Sequence, residues 1–169
     1  MSSIQIVDGN LLESQAKYIA HQVNCVSHGA AGLAAELFAR YPHANIYSRR
    51  VDSDSKDEPG TIVISGNGEG ERFIINMMGQ YYPGRPKYID SELDGARARK
   101  RHFFHCLTRI AEIPDLESIA FPYGIGCGLA GGAWDEYRSL IEKFAAFVCD
   151  RASVSIIKLP RSTVSPSVV

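Results

Sequence analysis

The chain has 169 residues, which suits one domain with a substantial core and is too short for two full domains. Hydrophobic residues make up 45% and charged residues 22%, a globular composition that argues against a disordered or fibrous chain. The 18 basic and 19 acidic residues give a formal net charge of −1, so no global positive field attracts nucleic acid or an anionic membrane. The longest apolar runs have only the length of strands, so we expect no membrane span.

The N-terminus shows no basic leader followed by an apolar segment, and the four cysteines lack the close pairing of a disulfide framework. We therefore expect a reduced protein inside the cell, in the cytoplasm, with a nuclear location left open. The five histidines and four cysteines show no metal-ligand spacing, so we expect neither a metal nor a cofactor. The sequence carries no indication of the oligomeric state.

Short β-type runs alternate with helical periodicity along the chain. The first half of the chain predicts strands over 4–7 and 18–24, a helix over 31–41, a short helix to about Arg50 and a charged surface loop over 52–60. Strands over 61–64 and 73–76 follow, joined by a hairpin, and then a helix from Ser91 to about Ala111. The last predicted elements are a strand over 118–122, a helix whose core stripe is Trp134, Tyr137, Ile141, Phe144 and Val148, and a strand over 154–159.

Strands that alternate with helices predict an α/β fold with three layers, helix–sheet–helix, around a sheet of about six strands. The hairpin makes this sheet mixed rather than wholly parallel. We expect a single domain over residues 1–159, followed by a flexible Ser/Pro/Val tail over 160–169.

Two loops have the composition of an anion site, and both follow a predicted strand and lead into a helix. One covers residues 24–32; the other covers 123–132, where five of the nine residues from 124 to 132 are glycine. Small residues let backbone amides approach an anion, and the positive end of the next helix adds to the attraction. Two such loops predict a diphosphate site, whereas glycines that only permit tight packing are the alternative interpretation.

Residues 126–131 also match the dinucleotide pattern G-x-G-x-x-G, which is a weak signal by itself. The pattern normally opens a βαβ unit whose second strand ends in an acidic residue that holds the ribose. Here the next strand ends in Lys158-Leu159-Pro160. We therefore do not expect a nicotinamide dehydrogenase.

Taken together, the motifs resemble those of the macrodomain family, whose members are ADP-ribose-binding modules. The resemblance covers about residues 3–159 and rests on segments 7–12, 21–25 and 123–129. Segment 75–80 and Trp134 are most similar to macrodomains described as ADP-ribose 1″-phosphate phosphatases. The resemblance implies the macrodomain fold, with ADP-ribose or a derivative as the ligand and ADP-ribosylated macromolecules as further partners.

The resemblance also implies roles for individual residues. Asn10 stands where macrodomains usually have an acidic residue for the adenine amino group, and Leu11 would offer its backbone. Asn24 would hydrogen-bond the distal ribose, and a turn former at the end of a strand is the alternative interpretation of this residue. The diphosphate and distal ribose would be wrapped by two sets of loop residues: Gly29, Ala30, Ala31, Gly32 and Leu33 in the first, and Gly124, Ile125, Gly126, Cys127, Gly128, Leu129 and Ala130 in the second.

Catalytic residues of two macrodomain branches have no counterpart here. One branch uses a lysine after the fourth strand and an aspartate in the second glycine loop, but the corresponding segments 77–80 and 129–131 contain neither residue. The other branch uses an aspartate just after the first loop, and the corresponding segment 33–35 has none. The remaining resemblance, to the phosphatase branch, makes His21 and Asn24 the candidate catalytic residues, while a core role for His21 is equally consistent with its place in a strand.

Three functions fit these residues. The first is hydrolysis of the terminal phosphate of ADP-ribose 1″-phosphate. The second is a hydrolase that removes ADP-ribose from proteins or nucleic acid, and the third is a non-catalytic ADP-ribose reader. The basic run at Arg97, Arg99, Lys100 and Arg101 is expected to be a solvated helix surface.

Overall fold

The computed structural model describes residues 4–160, so residues 161–169 of the expected tail lie outside the described residues. Strands and helices alternate in the order β1 (Ile4–Asp8), β2 (Tyr18–Asn24), α1 (Gly32–Arg40), β3 (Ile62–Ser65), β4 (Phe73–Gln80), α2 (Ala96–Ala111), β5 (Glu117–Pro122), α3 (Trp134–Val148) and β6 (Ala152–Lys158). Short 3₁₀ helices lie at Leu11–Glu13, Pro42–Ala44 and Ile46–Arg49. No helix of this part of the chain is long and apolar enough to cross a membrane.

The strands form one six-stranded sheet in the order β1-β6-β5-β2-β4-β3. All neighbouring strands are parallel except β3 and β4, which form the predicted antiparallel hairpin. The prediction of a mixed sheet is therefore confirmed. Because β2 and β5 are parallel neighbours in its middle, the loops that follow them leave the same edge of the sheet.

Helices cover both faces of the sheet, which confirms the predicted three layers. The alternation of side chains along β2 shows how the two cores are separated: Ile19 and Val23 pack with α1 residues such as Leu37. Tyr18 and Ala20 point to the other face and pack with α2 and α3. Most of the predicted stripe of α3 is buried in this second core, namely Tyr137, Ile141, Phe144 and Val148.

Three elements differ from the expectation by more than a shift of one or two residues at their ends. Helix α2 begins at Ala96 rather than near Ser91, because residues 91–95 form a turn in which the Gly95 amide donates to the Ser91 carbonyl. Strand β4 continues through the buried residues 77–80, which lengthens the edge of the sheet that carries the candidate site. The short helix expected before Arg50 is a pair of 3₁₀ helices.

Candidate functional site

A cleft of about 380 Å³ lies at the carboxyl ends of β2 and β5, between the two loops that sequence analysis singled out. Most of the predicted ligand-binding residues line it: Asn24, Gly29, Ala31, Gly32, Leu33, Gly124, Ile125, Gly126, Cys127, Gly128, Leu129 and Ala130. The remaining lining comes from neighbouring strands and from the loop after β4, namely Gln22, Val23, Ser27, Ala34, Tyr47, Gln80, Pro83, Gly84, Pro122 and Tyr123. The cleft has the volume of a site for a small organic ligand.

The first wall, residues 24–34, leaves backbone amides unused on a continuous stretch. Within the described residues, none of the amides from His28 to Ala34 has an acceptor. Several carbonyl groups of the same wall are in use, since Ala31 accepts from the Ala35 amide and Cys25 from the Asp57 amide. Helix α1 starts here with Ala31 as its N-cap and no side-chain cap, so its first amides are open to a ligand.

The second wall, residues 122–132, shows the same asymmetry more strongly. The carbonyls of Pro122, Gly124, Gly126 and Gly128 all accept from amides of this wall. By contrast, other amides have no acceptor among the described residues, namely those of Gly124, Gly126, Gly128, Leu129 and Ala130. A loop that uses its carbonyls internally and leaves its amides free presents positive dipole ends, which is the arrangement that binds an anion.

Asn24 uses one end of its carboxamide to shape the first wall. Its Oδ1 accepts from the Val26 amide at 3.1 Å and from the Ser27 amide at 2.8 Å. The side-chain amide nitrogen has no partner among the described residues, although the residue is only 7% exposed. The geometry therefore leaves a donor of Asn24 for a ligand.

Three further polar side chains of the lining were not predicted from the sequence. Gln22 Nε2 donates to Gln80 Oε1 at 2.8 Å, and Gln80 Nε2 donates to the Tyr82 carbonyl at 2.8 Å. The Tyr47 hydroxyl accepts from the Asn24 amide at 2.9 Å, and burial raises the pKa of this phenol. Only Gln22 had a signal in the sequence, because it stands two residues before Asn24 and so shares its face of β2.

A buried arginine lies behind each wall. Arg50 is 6% exposed and pairs with Asp57 at 2.7 Å. Arg99 is 2% exposed and pairs with Asp94 at 2.6 Å, so the expectation that the whole basic run is solvated is wrong at this position. The turn before α2 explains the difference, because it brings Asp94 onto the buried side of the helix.

Three predicted ligand-binding residues are not brought into the lining. Asn10 is exposed and caps the 3₁₀ helix Leu11–Glu13, with its Oδ1 accepting from the Leu12 amide at 3.0 Å. Leu11 is buried in the core on the α1 side. Ala30 packs against the same core. The adenine contacts expected at Asn10 and Leu11 stay predictions.

His21 also lies outside the lining of the cleft. It is buried on the opposite face of β2 from Gln22 and Asn24, with its ring edge against Phe38 at 5.3 Å between ring centroids. Its Nε2 donates to Asn76 Oδ1 at 2.7 Å, and burial lowers its pKa to about 4. A catalytic role for His21 stays a prediction, and this position keeps the ring from direct contact with a ligand in the cleft.

The cleft contains one thiol, that of Cys127. Burial raises its pKa to about 11, so the thiol is protonated at neutral pH and is not a ready nucleophile. Within residues 4–160, no group of three His, Cys, Asp or Glu side chains is placed to hold a metal ion.

Comparison with known proteins relates this arrangement to one fold. No protein-family model matches the sequence, and no curated protein matches it significantly. The solved structures that match include the macrodomain of Mycobacterium tuberculosis DarG, with a TM-score of 0.70 and 20% identity over 94% of this chain and 98% of that chain. A mutant macrodomain of Oceanobacillus iheyensis matches with a TM-score of 0.64 and 18% identity over 92% of this chain and 84% of that chain. A Trypanosoma brucei macrodomain in complex with ADP-ribose matches with a TM-score of 0.62 and 13% identity over 93% of this chain and 63% of that chain. The chain therefore has the macrodomain fold.

Proposed function

We propose that this chain, which has the macrodomain fold, binds ADP-ribose in the cleft between its two loops. The observation that carries the proposal is the pair of walls whose amides have no acceptor among the described residues, while the neighbouring carbonyls are in use. Two sets of such amides, one from each wall of the cleft, suit a ligand with two linked phosphates. The Trypanosoma brucei neighbour, which is named as a complex with ADP-ribose, supports the same ligand.

The neutral lining also bears on the mode of binding. The described lining residues include no carboxylate, imidazole, ammonium or guanidinium group, so the charge of a diphosphate would be met by backbone amides and by neutral side-chain donors. Such an arrangement holds an anion through N–H groups that point toward it rather than through positively charged side chains, and it agrees with a chain whose formal net charge is −1.

Calorimetry with a matched pair of glycine variants tests this proposal. Gly128 lines the cleft, and a Cβ at this position would meet nothing within 4 Å, so Gly128→Val puts a side chain into open space without disturbing the fold. Gly70→Val is the control, because Gly70 has equal space but lies in the exposed turn between β3 and β4. We expect the native chain and Gly70→Val to bind ADP-ribose with micromolar affinity, about −8 kcal/mol, and Gly128→Val to bind at least tenfold more weakly. Equal binding by the two variants would contradict the proposed place of the ligand.

We propose hydrolysis of ADP-ribose 1″-phosphate as the first activity to test. Amides of the two walls that the diphosphate leaves free would neutralise charge on the terminal phosphate during attack by water. Removal of ADP-ribose from proteins or nucleic acid is the alternative reaction for the same cleft. A third function, a non-catalytic ADP-ribose reader, fits the lack of a carboxylate, imidazole or ammonium group among the described lining residues.

Turnover assays on the phosphomonoester and on ADP-ribosylated protein, run side by side, separate these functions. The phosphatase proposal predicts release of phosphate from the first substrate only. Release of ADP-ribose from the second would support the hydrolase. Binding without turnover of either substrate would support the reader.

A further inference from the structure

We propose that Arg50 and Arg99 are positioning residues for the bound ligand: Arg50 holds carbonyl oxygens of the first wall away from the anion, and Arg99 fixes the second wall to the loop after β4. The inference rests on the proposed function, because it concerns the same cleft. Neither arginine lines the cleft, so each acts through the wall that it holds.

Arg50 binds carbonyl oxygens of the first wall on the side away from the ligand. Its guanidinium donates to the Asn24 carbonyl at 2.8 Å and to the Ser27 carbonyl at 2.9 Å. Its partner Asp57 holds the carbonyl between them, because the Asp57 amide donates to Cys25 at 3.0 Å. Three carbonyl groups of one short loop are thus bound by a single ion pair.

The planarity of the peptide bond gives these contacts a consequence for the ligand. In a trans peptide the N–H points opposite to the C=O of the preceding residue. Holding the Ser27 carbonyl on the Arg50 side therefore turns the His28 amide away from Arg50. His28 is the first of the amides that have no acceptor among the described residues.

Arg99 has a different task from Arg50, because it joins the second wall to the loop after β4. It donates to the carbonyls of Ala130 at 3.2 Å, Gly84 at 2.6 Å and Tyr82 at 3.1 Å. Its partner Asp94 accepts from the Tyr81 amide at 2.7 Å. Both Gly84 and Ala130 line the cleft, so one side chain sets the distance between two parts of its surface.

The guanidinium group is needed for this task. Arginine presents five donors in a rigid planar fork, whereas lysine has one compact ammonium group on a flexible chain. A lysine could keep the ion pair with Asp57 or Asp94, but it could not bind the carboxylate and several separate carbonyls at once. Arg→Lys therefore keeps the charge and removes the positioning.

The test compares Arg50→Lys and Arg99→Lys with the control Arg72→Lys. Arg72 is half-buried and also donates to a backbone carbonyl, that of Ala16 at 2.6 Å, but neither residue lines the cleft. Dissociation constants are measured for ADP-ribose and for adenosine, which lacks the phosphates, and melting temperatures are measured without ligand. We expect Arg50→Lys and Arg99→Lys each to bind ADP-ribose at least tenfold more weakly than the native chain. Both variants should bind adenosine within twofold of the native chain and remain folded.

Each other result has a definite meaning. Lysine variants that bind ADP-ribose like the native chain, or that lose adenosine binding to the same degree, would overturn the inference. Loss of folding in both variants would make the arginines purely structural and would also overturn it. A native chain that does not bind ADP-ribose at all would instead contradict the proposed function.

Discussion

Asn24 contributes to the cleft through both ends of its carboxamide. The oxygen fixes the turn at Val26 and Ser27, and the nitrogen is left for the ligand. The prediction of a ribose contact at Asn24 came from the resemblance to macrodomains, whereas its place at the end of a strand predicted a turn former. The structure shows the turn-forming role in the contacts of Oδ1, and the ribose contact stays a prediction.

Two substitutions of Asn24 separate these tasks. Asn24→Asp keeps an oxygen acceptor for both amides but loses the donor, so we expect weaker ADP-ribose binding with an almost unchanged melting temperature. Asn24→Ala removes the acceptor as well, and each lost hydrogen bond costs about 1 kcal/mol of stability. Calorimetry and thermal unfolding of the two variants check this. Equal stability of the two variants would contradict the turn-forming role.

His21 gives a prediction for the dependence of stability on pH. Its pKa is lowered to about 4 in the folded chain, against about 6.5 in the unfolded chain, because burial disfavours the charged ring. The unfolded chain therefore binds more protons between these values, and the contribution of His21 to stability is complete above about pH 6.5 and is lost as the pH falls toward 4. The full difference amounts to about 3 kcal/mol.

His21→Gln keeps a hydrogen-bonding partner for Asn76 and removes the titrating ring. We expect the free energy of unfolding of the native chain to fall more steeply than that of the variant between about pH 6.5 and 4. Denaturant unfolding at several pH values measures both slopes. Identical slopes would show that His21 is not held neutral in the core.

At the scale of secondary structure, most elements were predictable because their side-chain periods are clear. The alternating run at 4–7 and the apolar stripe from Tyr137 to Val148 both form the expected structures. The start of α2 was not predictable, because the helical period before Ala96 belongs to a turn. The buried states of Arg50 and Arg99 were not predictable either, since each depends on carbonyls and carboxylates brought together by the tertiary fold.

The glycines of the second glycine loop are required for different physical reasons. Gly126 has a φ of +79°, and a Cβ there would lie 2.7 Å from the Tyr137 ring, so this glycine permits the packing of the loop on α3. A Cβ at Gly128 would meet no atom within 4 Å. The sequence-based alternatives, close packing and approach to an anion, therefore apply to different members of the same loop.

This difference gives a prediction for the loop. Gly126→Ala should lower the free energy of unfolding by more than about 1 kcal/mol, because alanine is strained at a positive φ and contacts Tyr137. Gly128→Ala should leave stability nearly unchanged. Chemical denaturation of both variants provides the comparison, and equal losses would contradict the separate roles of the two glycines.

For the whole molecule, the parallel arrangement of β2 and β5 decides where the site lies. The two small-residue loops are separated by about a hundred residues in the chain but meet at one edge of the sheet. Their shared small-residue composition, each after a predicted strand, already predicted one diphosphate site built from both loops. The separate use of carbonyls and amides in the two walls could not be predicted, because it depends on the hydrogen bonds of the folded loops.

Backbone amide chemical shifts in a ¹⁵N–¹H NMR titration test the central claim most directly. With ADP-ribose, we predict the largest shifts at the amides of residues 28–34 and at those of Gly124, Gly126, Gly128, Leu129 and Ala130, because these gain an acceptor. Adenosine, without phosphates, should leave most of them unchanged. A titration with saturating ADP-ribose that moves amides elsewhere and leaves both walls unperturbed would contradict the account.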